Sequence, residues 1–407
     1  MKGTKRARSL IVALVCAVVL VAGAGQPVGA QAPTFSVQVA QFFGVGPNCN
    51  PNTGRGCTGA ESMRFFGGGV LRVHPGDTIN FHSEGFHTAT LLPKNTDAFR
   101  WLDGNAPPLD GPWSLTLTDP DEDFKANNRV LFPSHQDCGA ADDPCSYDGS
   151  EVVNSGVFVF GDPAGTTVSV DAQAGDFFWV VCLIHPHMRM RVEVVEPGQV
   201  TSTQATIDAR TAAQIALDQD WASSADARLR SKQTRHVTAG GRTVVDVFAG
   251  YDNHWVSLFG MYPKKIRIGR GDTVQFHFNQ LIYEDHTATF PLARGLDVSN
   301  NEFFAPNCDP DGDAGSAPDT PPDIQGPPFC SGGPSQLEFD ISERAQAETG
   351  GGAFAGADYE NSGIRGPSGA TNASWDLRFT KLSPDDGFGY LCVIHPFMRG
   401  RVIVRRR

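Results

Sequence analysis

Three observations on the 407-residue sequence predict an all-β chain built from two copies of one domain. Short β-branched and aromatic runs alternate with polar residues, as in Leu71, Val73, Ile79 and Phe81. The 45 glycines and 28 prolines are enough for many turns and long loops. Two segments then recur in the same order: "VHPGDTINFHSEGFHTAT" (73–90) as "IGRGDTVQFHFNQLIYEDHTAT" (268–289), and "FFWVVCLIHPHMRMRVEVV" (177–195) as "FGYLCVIHPFMRGRVIV" (388–404). This is domain duplication rather than a short-period solenoid. Short strands with Gly/Pro-rich turns argue for a sandwich or a barrel.

From the N-terminus, Lys2, Lys5, Arg6 and Arg8 precede an apolar run over 10–24, and Val28-Gly29-Ala30 ends in small residues. That is the pattern of a secretory signal over residues 1–30, too short for a comfortable membrane span. No other stretch is long and apolar enough to cross a bilayer. The first copy, 31–197, continues with β-rich runs at 157–160, 167–170, 177–181 and 190–194. A linker follows over 198–240, where Ile207, Ile215, Ala222 and Leu229 share one face of a helix. The second copy, 241–407, has Ile266, Ile268, Val274 and Phe276, then runs at 375–379, 389–393 and 401–404. Stretches such as "DPDEDFKANN" and "CDPDGDAGSAPDTPPDIQGPPFC" are read as ordered insertions.

Composition sets outer limits. A hydrophobic share of 40% can bury a core, which excludes global disorder, and 45 acidic against 33 basic residues exclude a strongly basic nucleic-acid binder. Removing residues 1–30 leaves 29 basic residues against 45 acidic, net −16. Such a surface disfavours nucleic acid and anionic membranes and steers positively charged partners.

Each copy carries Cys-x2-His-x2-Met: Cys182, His185 and Met188, then Cys392, His395 and Met398. Each also has an upstream histidine after a strand, His87 in "FHTAT" and His286 in "DHTAT". A thiolate, two imidazoles and a weak axial thioether form the ligand set of a blue-copper electron-transfer site. A cysteine at a strand end, followed by a tight Pro-containing turn, aims three side chains at one point. Zinc gains little from a thioether, whereas soft sulfur donors favour copper.

These segments resemble the cupredoxins, the plastocyanin-like copper proteins, and "CVIHPFMRGRVIV" is most similar to the copper loop of the amicyanin type. The resemblance covers both ends of each copy and leaves out the insertions and the linker. It implies two Greek-key β-sandwiches with long loop insertions, each binding one type 1 copper. The thiolates would be Cys182 and Cys392, the imidazoles His87, His185, His286 and His395, and the axial ligands Met188 and Met398. His185 and His395 are expected near the surface, as the route for electrons to and from a redox partner. One departure is Thr88 and Thr287, where the amicyanin type has Asn, so hydrogen bonding near the thiolate should differ.

Copper oxidases and nitrite reductases add catalytic coppers that need further histidines. Val181 and Leu183 flank Cys182, and Leu391 and Val393 flank Cys392; the one His-x-His is His185-Pro186-His187. That argues against a trinuclear cluster or a bridged catalytic copper. His82 and His277 do recur, at the end of the Asp-Thr strand; alternation points them away from Phe81 and Phe276, so exposed strand histidines are expected, and an additional interdomain or intersubunit copper is the lesser reading. His74, His135, His236 and His254 lack a recurrent pattern. "DPDGDAG" (309–315) mimics the start of a calcium loop, but Thr320 stands where the twelfth-position Glu belongs, so a solvated acidic loop is expected.

Nine cysteines divide by chemistry. Cys16 leaves with the signal, Cys182 and Cys392 are the copper thiolates, and six remain. Their local pairing, 49–57, 138–145 and 308–330, is the simplest of fifteen. Disulfides and a signal together predict an extracytoplasmic protein. The functional expectation is an exported electron carrier with two blue coppers; the alternatives are a copper oxidase or nitrite-reductase-like enzyme, or copper sequestration.

Overall fold

The computed structural model describes residues 33–102, 128–158, 165–232, 235–237, 243–303, 305–308, 337–340, 342–367 and 374–407, apart from positions 51, 84, 136, 186, 254, 280 and 282. The signal segment, the "DPDGDAG" loop, His254 and the partner cysteine Cys330 therefore lie outside the described residues. No helix among the described residues is long and apolar enough to cross a membrane.

The first half contributes β1 (Thr34–Val45), β2 (Thr58–Phe65), β3 (Val70–Val73), β4 (Thr78–Ser83), β5 (Thr88–Leu91), β6 (Cys145–Tyr147), β7 (Val153–Val157), β8 (Thr166–Val170), β9 (Phe177–Val181) and β10 (Arg189–Val194). They form two sheets, β2-β1-β4-β8-β6 and β3-β10-β9-β5-β7. Strict alternation in β4 and β10 sends Ile79, Phe81, Met190, Val192 and Val194 into the space between the sheets. Phe178 packs there on Tyr147, ring centroids 4.6 Å apart. Both repeated Gly-Asp-Thr turns close alike: the His74 and Gly269 amides donate to Asp77 and Asp272, at 2.7 and 2.8 Å. Gly76 and Gly271 take φ of 89° and 94°, a conformation that favours glycine.

The second half repeats the plan. After β11 (Arg235–Val237) come β12 (Thr243–Asp252), β13 (Val256–Tyr262), β14 (Lys265–Gly269), β15 (Thr273–His277) and β16 (Thr289–Phe290). A small hairpin, β17 (Ala305–Cys308) with β18 (Leu337–Asp340), precedes β19 (Glu348–Thr349), β20 (Ala353–Phe354), β21 (Glu360–Ser362), β22 (Ser374–Phe379), β23 (Phe388–Leu391) and β24 (Arg399–Arg405). Along β13-β12-β15-β22-β20 and β14-β24-β23-β16-β21 the order matches the first half, with β11 added beside β12 and β19 beside β21. The fold is the expected pair of all-β sandwiches. The predicted run at 157–160 falls partly outside the described residues; β7 covers Val153–Val157, where Asn154 and Ser155 fill the strand with hydrogen bonds instead of apolar bulk.

The halves are joined edge to edge. β2 pairs antiparallel with its own counterpart, β13, so one sheet of each sandwich merges into an 11-stranded sheet. Val37 pairs with Phe81 as Val247 pairs with Phe276, and β1 and β12 carry matching bulges. This register makes Glu61 the counterpart of Ser257, and these two residues lie opposite each other at the centre of the joint.

The linker is a helix, Gln204–Arg230, capped by Thr203, whose hydroxyl accepts from the Thr206 amide at 3.2 Å. It packs over β1, β2 and β13, so it does not hold the sandwiches apart. Ile207, Ala222 and Leu229 of the expected face are buried, while Ile215 is half-buried. The buried face also includes two acids. Asp218 accepts from Arg64 (2.7 and 2.8 Å) and from the Ser62 hydroxyl, and Asp226 accepts from Arg230 (2.6 Å) and Tyr262 (3.0 Å). Cys49–Cys57 and Cys138–Cys145 are disulfides, while Cys182 and Cys392 are free and buried.

Candidate metal centres

In the first sandwich, β9 ends at Val181, so Cys182 opens the loop that returns as β10. The loop is tied at its neck: the Cys182 amide donates to Met188 O (3.0 Å) and the Met188 amide to His185 O (2.8 Å). His87 immediately precedes β5, the neighbour of β9. Together these elements bring Cys182 Sγ to 3.8 Å from His87 Nδ1 and 3.9 Å from His185 Nδ1, with the two nitrogens 2.9 Å apart. Met188 is fully buried in the same loop.

The second sandwich repeats this geometry. Cys392 Sγ lies 3.9 Å from His286 Nδ1 and 3.7 Å from His395 Nδ1, and the nitrogens are 3.1 Å apart. The same neck bonds recur from Cys392 to Met398 O and from Met398 to His395 O, at 3.0 and 2.8 Å. These are the two clusters of metal-binding side chains among the described residues.

Both donor sets fit a metal ion. An ion about 2.0 Å from nitrogen and about 2.3 Å from sulfur at trigonal angles spans N···S distances of about 3.7 Å. Each sulfur is also prepared for negative charge: the Thr88 and His185 amides donate to Cys182 Sγ, both at 3.4 Å, and the Thr287 amide donates to Cys392 Sγ at 3.3 Å.

Thr88 and Thr287 have a definite part in this. Thr88 Oγ1 accepts from the Leu183 amide at 2.9 Å, and Thr287 Oγ1 accepts from the Val393 amide at 2.9 Å, so each hydroxyl holds the residue after the cysteine. Each continues into a buried chain, Thr88–Thr90–Asn154 and Thr287–Thr289–Asn361. Beside it, Ser155 and Ser362 accept from the Ala89 and Ala288 amides, both at 2.8 Å. Sequence reasoning missed these four residues, although "NSG" recurs at 154–156 and 361–363 and marks them.

The expected surface position of His185 is not what the structure shows. His185 is 6% exposed, because the segment before His286 covers it: His185 Nε2 donates to Glu284 of the second sandwich at 2.8 Å. The other oxygen of Glu284 lies 3.6 Å from His395 Nε2. His395 keeps an edge to solvent, its side chain 15% exposed. The aromatic residue two positions on from each loop histidine also reaches across the joint. His187 stacks on Tyr283 at 3.5 Å, and Phe397 meets Phe42 edge-on at 5.3 Å. The two loops therefore face each other across the joint.

The surroundings of the two sites differ. His87 Nε2 donates to Glu61 at 2.9 Å, in space left open by Gly85, where a β-carbon would clash with that carboxylate. His286 has no such partner: its Nε2 is buried without a hydrogen bond, and Phe259 lies edge-on to its ring at 5.9 Å. The titration of the groups follows. Burial alone would lower His87, but Glu61 and Cys182 lift it to about 9, and Glu284 likewise raises His185 against its burial. Burial opposes ionisation of Cys182, yet hydrogen bonds to His185 and His87 hold it well below the usual thiol range. In the second site burial dominates, taking His286 down to about 3, His395 well down, and Cys392 up to about 11.

His82 and His277 are not brought together within the chain. They sit on β4 and β15, with β1, β2, β13 and β12 between them in the shared sheet. His82 contacts Ser36 at 3.3 Å, and His277 donates to Asp246 at 2.9 Å and stacks on Phe248. His74, His135 and His236 meet Gln199, Glu151 and Asp246, away from both centres.

No protein-family model matches the chain, and no curated protein matches it. Among solved structures it is similar to the multicopper oxidase mgLAC (10% identity, TM-score 0.16, 64% of each chain covered). It is also similar to a copper-containing nitrite reductase from Thermus scotoductus SA-01 (14% identity, TM-score 0.19, 92% of this chain and 68% of that one). A third is the copper nitrite reductase from Nitrosomonas europaea (12% identity, TM-score 0.17, 92% and 94%). The chain thus spans less than two thirds of the multicopper oxidase. At this level of similarity the chemistry has to be argued from the donor atoms themselves.

Proposed function

We propose that the chain is an exported electron carrier with one type 1 copper in each sandwich, held by His87, Cys182, His185 and Met188 and by His286, Cys392, His395 and Met398. The observation that carries this reading is the twofold convergence of one sulfur and two Nδ1 atoms on loops with identical neck hydrogen bonds. Copper in such a site takes up and releases one electron. The chain's own residues keep that exchange cheap. The amides of Thr88 and His185 stabilise the thiolate, and the Thr88 and Thr287 hydroxyls fix the cysteine segments. Burial of both cysteines excludes water. A donor set pinned in this way changes little between oxidation states.

The two disulfides and the N-terminal segment support an extracytoplasmic setting. The acidic balance supports a redox partner with a basic docking surface.

Metal analysis with visible and electron paramagnetic resonance spectra on the oxidised protein tests the reading. Two coppers per chain with two type 1 signals are expected, and Cys182→Ser and Cys392→Ser should each remove one. Zinc in the sites, or blue colour surviving both substitutions, overturns it. A copper ratio above two with a type 2 signal would instead support an enzyme with an additional copper between subunits.

A further inference from the structure

We propose that Glu284 joins the two sites into one redox unit, in which the transferred electron passes between the ligand histidines and comes to rest on the second site. This rests on the copper reading above and goes beyond it in assigning a direct route and a direction.

The route follows from one side chain. Glu284 stands in the sequence two residues before His286, yet its carboxylate is hydrogen-bonded to the ligand histidine of the other sandwich, His185, at 2.8 Å. Its second oxygen approaches His395 Nε2 at 3.6 Å. A single buried carboxylate, 7% exposed, is therefore all that separates the outer nitrogens of two ligand imidazoles. His185 is largely covered by this contact, 6% exposed, so the route open to the first site runs toward the second. His395, with its edge at the surface, serves the outside.

The direction follows from where the carboxylates sit. A ligand imidazole that donates its N–H to a carboxylate becomes a stronger donor, and nearby negative charge favours the more oxidised metal. The first site has two such contacts, Glu61 on His87 and Glu284 on His185. The second has a distant approach to His395, and His286 faces Phe259. Duplication did not impose this difference. The counterpart of Glu61 is Ser257, and the residue two before His87 is Gly85 where the second copy has Glu284. With copper held at both sites, one electron would leave the first site and enter the second; no bond would form or break and no proton would be required.

The test uses the full copper-loaded chain. Redox titration followed by electron paramagnetic resonance gives two potentials, assigned with Cys182→Ser and Cys392→Ser. A photogenerated one-electron reductant then times equilibration between sites. The second site is expected to have the higher potential and to hold the electron in half-reduced protein. Glu61→Gln should raise the first site's potential by about 59 mV or more, tenfold in the equilibrium for one electron, and leave the second unchanged. Glu284→Ala should slow equilibration at least tenfold, while Glu284→Gln, which keeps an oxygen acceptor, should restore most of the rate. Equal or reversed potentials, or an equilibration rate unmoved by Glu284→Ala, overturn the proposal alone. Absence of any type 1 signal overturns the copper reading and this proposal with it.

Discussion

Gly250 lies so close to His286 that a β-carbon there would sit 2.3 Å from both Cδ2 and Nε2 of the imidazole. Gly250 is the bulge residue of β12, at φ 77°, and its counterpart in β1 is Ala40, at φ 60°. A methyl group is thus accepted on this backbone in the first sandwich and barred in the second, chiefly by the His286 ring and also by Leu281, whose Cδ2 would lie 2.8 Å away. Gly250→Ala is expected to push His286 off its position and leave the other site intact. Bound copper should fall from two ions per chain to one, read by metal analysis.

The Thr88 hydroxyl is the acceptor for the Leu183 amide, and both residues are fully buried. Thr88→Val keeps the shape and removes the acceptor. A buried amide left unsatisfied costs about 1–3 kcal/mol, so denaturant unfolding should shift by that amount. Thr287→Val should do the same through the Val393 amide.

Asp218, on the connecting helix, takes a two-pronged ion pair from Arg64 on β2, with side-chain exposures of 6% and 16%. Asp218→Ala leaves a half-buried guanidinium and the buried Ser62 hydroxyl without this carboxylate. Breaking such a pair costs about 3–5 kcal/mol, measured by urea unfolding. The double change Arg64→Met with Asp218→Leu removes both charges and should recover most of that loss.

The Cys49–Cys57 disulfide closes a short loop, with a sequence separation of 8. Replacing both cysteines by serine should lower stability by about 2–3 kcal/mol through the entropy of the unfolded chain. Calorimetry of the oxidised double variant against the parent checks it, and the spectra of both copper sites should be unchanged.

The eight proposed ligands were legible in the sequence because their spacing is local and doubled. Cys-x2-His-x2-Met occupies one turn between two strands, and each upstream histidine opens the adjacent strand. Strands with one wet face, such as β4 and β10, were legible through their alternation. β13 was not, because every residue from Val256 to Tyr262 is buried: one face meets the core and the other the connecting helix or the facing loops. Glu61 and Glu284 were invisible for a different reason. Each is present in one copy only, and each acts on a residue far away in sequence. The expected exposure of His185 failed on the same ground, since it treated each sandwich as if it stood alone.

The antiparallel meeting of β2 with β13 has the geometry of a homodimer interface, in which one patch binds its own copy across a twofold axis. Two identical chains joined in this way would each bring a Glu284 to the space between the sites, and the like charges would repel. They would also be bound to identical potentials, since every substitution appears on both sides of the axis. Placing both halves in one polypeptide removes that restriction, because a residue can change on one side and stay on the other. The joint also becomes independent of protein concentration. Covalent fusion is thus what allows a symmetric pair of sites to have a direction.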